Sequence, residues 1–148
     1  MSAQVQELEV RFRLVQDADD WPPFAVESLW CTPIGDNIYQ VGNVPYFVKD
    51  IRYRDKIKVT YDKGVAWFES VLEPSDYSTV HVFCFDPKKA QSLLKWAKKN
   101  GCIFEVAYKA NYFAIGIPPS ISRKAWMKKF KALESLEDDG FEFEIAAG

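Results

Sequence analysis

A single histidine, His81, and three cysteines, Cys31, Cys84 and Cys102, are the chain's whole supply of imidazole and thiol. The cysteines are odd in number and far apart, and no CxxC pair occurs. Neither a disulfide framework nor a zinc knuckle is therefore expected, and buried reduced thiols are expected instead. GxxxxGK, GxGxxG, HExxH and GxSxG are all missing, and with them the phosphate cradles, zinc helix and nucleophile elbow that those spacings build. No cofactor, metal site or catalytic residue is expected. No apolar run approaches the roughly 20 residues that span a bilayer. The opening MSAQVQELEV has neither the basic nor the apolar region of a secretory signal. A cytoplasmic protein with no membrane partner is the expectation.

What is present is a chain of 148 residues, 48% hydrophobic and 16% aromatic, enough to bury a sizeable core in one domain or two small ones. Residues 1–77 predict a small antiparallel β subdomain, a partly open barrel. Val5 to Leu14 alternates Leu8, Val10, Phe12 and Leu14 with charged residues, the period of a strand with one wet face. DADDWPPF breaks the pattern with two prolines. Two hairpins follow, one turning at Gly35-Asp36-Asn37 and one at Asp62-Lys63-Gly64.

The pattern changes near Ser78. Residues 78–148 predict a ferredoxin-like βαββαβ unit, packed with the first subdomain as one compact α+β body. STVHVFCF is an almost continuous apolar strand. Asp86-Pro87 offers an N-cap followed by proline at the first helical position. Ala90, Leu93, Leu94 and Ala97 fall on one helical face, and Asn100-Gly101 closes it. CIFEVAY and YFAIGI form a hairpin around Lys109-Ala110-Asn111. Ser120 or Ser122 caps a second helix with an apolar stripe of Trp126, Phe130, Leu133 and Leu136 or its neighbour, and Gly140 stops it. FEFEI is the closing strand.

The net charge of −2 conceals three blocks. Residues 1–87 carry eight Lys/Arg against fourteen Asp/Glu, residues 88–131 eleven against one, and residues 132–148 none against six. Most of the positive block lies on the two predicted helices, which the topology places on one side of the sheet. Candidate partner-binding residues are Lys95, Trp96, Lys99, Arg123, Lys124 and Lys128, with Trp96 off the main apolar stripe between Lys95 and Lys99. The same charges also suit ordinary solvated helix faces. An RNA-recognition module shares the βαββαβ order but carries a basic-aromatic signature on its third strand. YFAIGI lacks it, and Glu142 and Glu144 would repel phosphates on the open face. His81 alternates out of phase with Val80 and Val82, so it faces away from the helices. It would need an orienting acid or a nucleophile to make an acid–base site, and no neighbouring motif supplies one.

The stretch from Glu27 to Val82 carries an ordered set of short motifs. These are Glu27-Ser28-Leu29-Trp30, Gly35-Asp36 with Tyr39, Asn43-Val44-Pro45-Tyr46-Phe47, Asp55-Lys56-Ile57 and the Ser75-to-Val82 segment. In these the chain resembles a bacterial family, domain of unknown function 4265. That family often has Gly-His-Ser-Thr where this chain has Asp76-Tyr77-Ser78-Thr79. The resemblance implies a fold and no activity. Small bacterial proteins of this type resemble immunity proteins, which neutralise a cognate toxin by binding it. A non-catalytic protein-binding protein of that kind is the leading expectation. The alternatives are a ligand- or nucleic-acid-binding module using the basic helix face, and an enzyme with its site around His81.

Overall fold

The computed structural model describes residues 6–107, 111–134 and 140–148. The chain is a mixed α+β protein, mostly strands, and it divides into two compact units, Met1–Ser75 and Asp76–Gly148.

The first unit is built from β1 (Leu8–Arg13), β2 (Val26–Gly35), β3 (Ile38–Val41), β4 (Lys56–Asp62) and β5 (Val65–Glu73). Each strand pairs antiparallel with the next. Asn37 turns the first hairpin at φ 59°, and Lys63 and Gly64 turn the second at φ 53° and 79°. Two consecutive positive φ values match the right-handed twist of the flanking strands, which is why Gly64 is there. The sheet closes into a complete barrel, correcting the expectation of a partly open one. Closure comes from a parallel seam between β1 and β5, Val10 beside Ala66 and Arg11 beside Trp67. Register shifts at Pro33/Gly35, Lys56/Ile57 and Lys58/Val59 bend the strands enough to bring the two edges together. Val10, Phe12, Leu29, Cys31, Tyr39, Val41, Ile57 and Val59 fill the inside.

The second unit runs β6 (Ser78–Cys84), α1 (Pro87–Lys99), β7 (Ile103–Ala107), β8 (Tyr112–Ile117), α2 (Arg123–Leu133) and β9 (Phe141–Ala147). Its four strands lie in the order β7-β8-β6-β9, all neighbours antiparallel. Val80, Val82 and Cys84 of β6 join Phe113, Ile115 and Ile117 of β8 in one apolar cluster with Leu93 and Ala97 of α1 and Trp126, Phe130 and Leu133 of α2. Both helices therefore cover the same face of the sheet. Lys109, Ala110 and Leu136 lie outside the described residues. Among the described residues, no helix is long and apolar enough to cross a membrane.

Candidate functional site: the two-helix basic face

Helix α1 starts because Asp86 caps it. The Asp86 carboxylate accepts the Lys88 N–H at 2.9 Å, and Pro87 brings a preset helical φ without wasting a donor. At the other end the Asn100 side chain donates to the Trp96 carbonyl at 2.8 Å, and Gly101 takes φ 72°. For α2 the Ser122 hydroxyl accepts the Ala125 N–H at 3.2 Å.

The helices are joined side by side. Lys129 Nζ donates to Ser92 Oγ at 2.9 Å, and the Trp96 ring meets the Phe130 ring edge-on at 5.9 Å. Phe130 in turn meets Trp126 at 5.9 Å and Phe143 at 5.2 Å. Trp96 is thus half-buried in the seam between the helices, with part of its surface still open beside Lys95 and Lys99. Lys95, Lys99, Lys124 and Lys128 are exposed. Lys88, Lys95 and Lys99 share one stripe of α1, spaced i, i+7, i+11. Lys124, Lys128 and Lys131 share one of α2, spaced i, i+4, i+7. Arg123 is exposed too, but its Nη1 donates to the Gly148 carbonyl and its guanidinium lies 5.6 Å from the Trp126 ring centre. It ties the helix start to β9's end.

Electrostatics sharpens this picture. Neither helix contains an acidic residue. Lys98, Lys99 and Lys131 sit in last turns, where the helix dipole welcomes cations. Lys88, Lys89, Arg123 and Lys124 sit in first turns, where the dipole opposes them by about 0.3–1 kcal/mol each. Folding alone favours Asp or Glu there. Of these, Lys88 and Lys124 are exposed, Lys89 is half-buried, and Arg123 is exposed but engaged with Gly148 and Trp126.

His81 is 5% exposed on the opposite face of β6, its ring 5.7 Å from that of Tyr112. The strand register supplies what the linear sequence could not show. Glu144 of β9 lies directly across from His81, and Glu105 of β7 lies across Ala114 on the same row. Cys84 points the other way, its thiol toward the Asp86 carbonyl at 3.3 Å, so it makes no pair with His81.

In the first unit the motifs around Glu27, Asn43 and Asp55 turn out to fasten one long connection, residues 42–55. Glu27, 7% exposed, accepts the N–H groups of Tyr46, Phe47 and Val48 at 2.6, 3.0 and 2.9 Å. Burial pushes its carboxyl above the usual glutamate range, against the pull of those three donors. Asn43 accepts the Trp30 N–H at 2.6 Å. A Cβ on Gly42 would stand 2.9 Å from the Trp30 carbonyl, so only glycine lets the chain pass there. Asp55 accepts the N–H groups of Arg52 and Ser75 at 2.8 and 2.7 Å, and burial raises its carboxyl as well. These groups hold a loop in place and carry no reacting geometry.

All three cysteines are buried, and none is in a disulfide. Burial pushes the Cys31 thiol up to about 12 and the Cys102 thiol up to about 11. Thiolate is the reactive form, so iodoacetamide at pH 8 should leave both unmodified in the native protein and alkylate both in denaturant. Mass spectrometry of the peptides reads the result.

Comparisons with other proteins agree with this architecture. A crystal structure of a hypothetical protein from Neisseria gonorrhoeae is similar over 99% of this chain and 97% of its own, with a TM-score of 0.75 and 16% identity. At that identity the likeness speaks for the fold alone. No curated protein matches the chain. The model of the family described as "Domain of unknown function (DUF4265)" matches residues 27–142, from the loop-fastening Glu27 to the closing strand, and the chain belongs to that family.

Proposed function

We propose that this is a non-catalytic bacterial protein-binding protein of the immunity type, cytoplasmic, which masks an acidic surface of a cognate toxin with the basic face of α1 and α2. We read its second unit as ferredoxin-like, from the element order and the strand order β7-β8-β6-β9.

One observation carries the reading: two helices packed side by side present exposed cations, among them Lys88 and Lys124 in first turns and Lys95, Lys99, Lys128 and Lys131 further along, with no acid in either helix. Charge of one sign on a rigid face gives fast, specific association with a face of the opposite sign. The charges are nearly all lysine, compact ions on flexible stems, which suit a broad acidic surface better than bidentate recognition. Nucleic acid is the second reading, favoured by the same charges. It is weakened because Trp126 is buried and Trp96 is engaged with Phe130, so neither helix tryptophan is set out as a stacking platform.

Co-expression with the product of a neighbouring gene is the test. A stoichiometric complex that survives size-exclusion chromatography, and weakens at least about tenfold between low and high salt, supports the immunity reading. Toxicity unchanged by co-expression sinks it. Comparable salt-sensitive binding to unrelated DNA and RNA would move the reading to nucleic acid.

A further inference from the structure

The barrel of the first unit carries a second charged feature that has no part in the helix face. Its closing seam lines up Thr60 of β4, Trp67 of β5, Arg11 of β1 and Ser28 of β2 in one outward row. Arg13, two residues along the same face of β1, lies 4.2 Å from the Trp67 ring centre, and Arg11 lies 5.9 Å from it. Both arginines are exposed. Among the described residues neither guanidinium makes a hydrogen bond or an ion pair. Two like charges thus share one indole, and their N–H edges point to no protein acceptor. Stacking fixes a guanidinium's plane while leaving that edge open to a carboxylate, which it grips with two parallel bonds.

We propose that Arg13, seated over the Trp67 ring, and its neighbour Arg11 form a docking point for an acidic peptide segment in extended conformation. Side chains two apart on a strand stand about 6.6–6.8 Å apart on one face. An extended partner with glutamates at alternate positions repeats that spacing and meets both guanidiniums at once. Glu9 on the same face of β1, and Glu69 paired with Lys58 at 3.6 Å, interrupt the positive charge nearby. That favours a partner with discrete carboxylates over a uniform polyanion.

The test is a nitrogen-15 NMR titration of the full chain with a capped Gly-Glu-Gly-Glu-Gly peptide. Expected are shifts at the Trp67 indole N–H and at the Arg11 and Arg13 side chains, and none with the Gln analogue of the peptide. The double variant R11A/R13A should bind at least about tenfold more weakly, the loss expected for charged hydrogen bonds. R11K/R13K, which keeps the charge without the fork, should lie in between. Charge reversal on the helices should leave these shifts intact, which separates this site from the proposed toxin-binding face. The proposal is overturned if R11A/R13A titrates like the parent protein. It is equally overturned if inorganic phosphate produces the same shifts at the same concentration, because the site would then hold any oxyanion.

Discussion

Phe130→Ala should destabilise the second unit by about 3–5 kcal/mol, the usual loss for an aromatic ring removed from a closed core. Phe130 is fully buried, and its ring touches Trp96, Trp126 and Phe143. Its ring joins α2 to α1 and β9. In a unit of this size the loss corresponds to a fall in Tm of roughly 15 °C or more, read by calorimetry. Phe130→Leu keeps most of the volume and should cost markedly less. A variant Phe130→Ala that melts with the parent protein would mean that the helices are not held together through this ring.

Glu27→Ala should cost about 3 kcal/mol, because it leaves three backbone donors without their acceptor. The expected structural result is release of residues 46–48, seen as faster amide exchange at Tyr46, Phe47 and Val48. Glu27 also gives a pH signature. Burial raises its folded-state pKa above the ordinary glutamate value of 4.5, so the folded protein holds this proton more tightly than the unfolded chain. The stability gained from that proton is fully present below about 4.5 and is lost as pH rises through the folded value. Glu27→Gln should remove this component from the stability-versus-pH curve. An unchanged curve would show that the carboxylate titrates as if in water.

Much of this fold can be read from local pattern. The β6 alternation placed His81 opposite Val80 and Val82, and the structure puts Val80 and Val82 in the helix-covered core and His81 outside it. Asp86-Pro87 and Ser122 cap helices because side-chain acceptors at those points answer free N–H groups, a property of four consecutive residues. What stayed hidden depends on pairing between distant segments. The barrel closes through Val10 beside Ala66, a seam that no local signal announces. The placement of Arg11 and Arg13 by the Trp67 ring follows from that seam and was equally invisible. Glu144 lies beside His81 only because β9 sits next to β6 in the sheet, which alternation in FEFEI cannot show. For Trp96, its place off the main stripe was visible, but the ring of the neighbouring helix that it meets was not. The six candidate docking residues therefore divide. Lys95, Lys99, Lys124 and Lys128 stand free on the surface, while Trp96 and Arg123 also serve the fold.

The central claim, that the basic two-helix face is where the partner docks, is tested most directly by charge reversal. The triple variant K95E/K99E/K128E alters only exposed positions, and its Tm should stay within a few degrees of the parent value. Isothermal titration of parent and variant against the neighbouring gene's product should show affinity falling at least about a hundredfold, as reversed charges meet an acidic surface. Equal affinity for the two proteins would contradict the account.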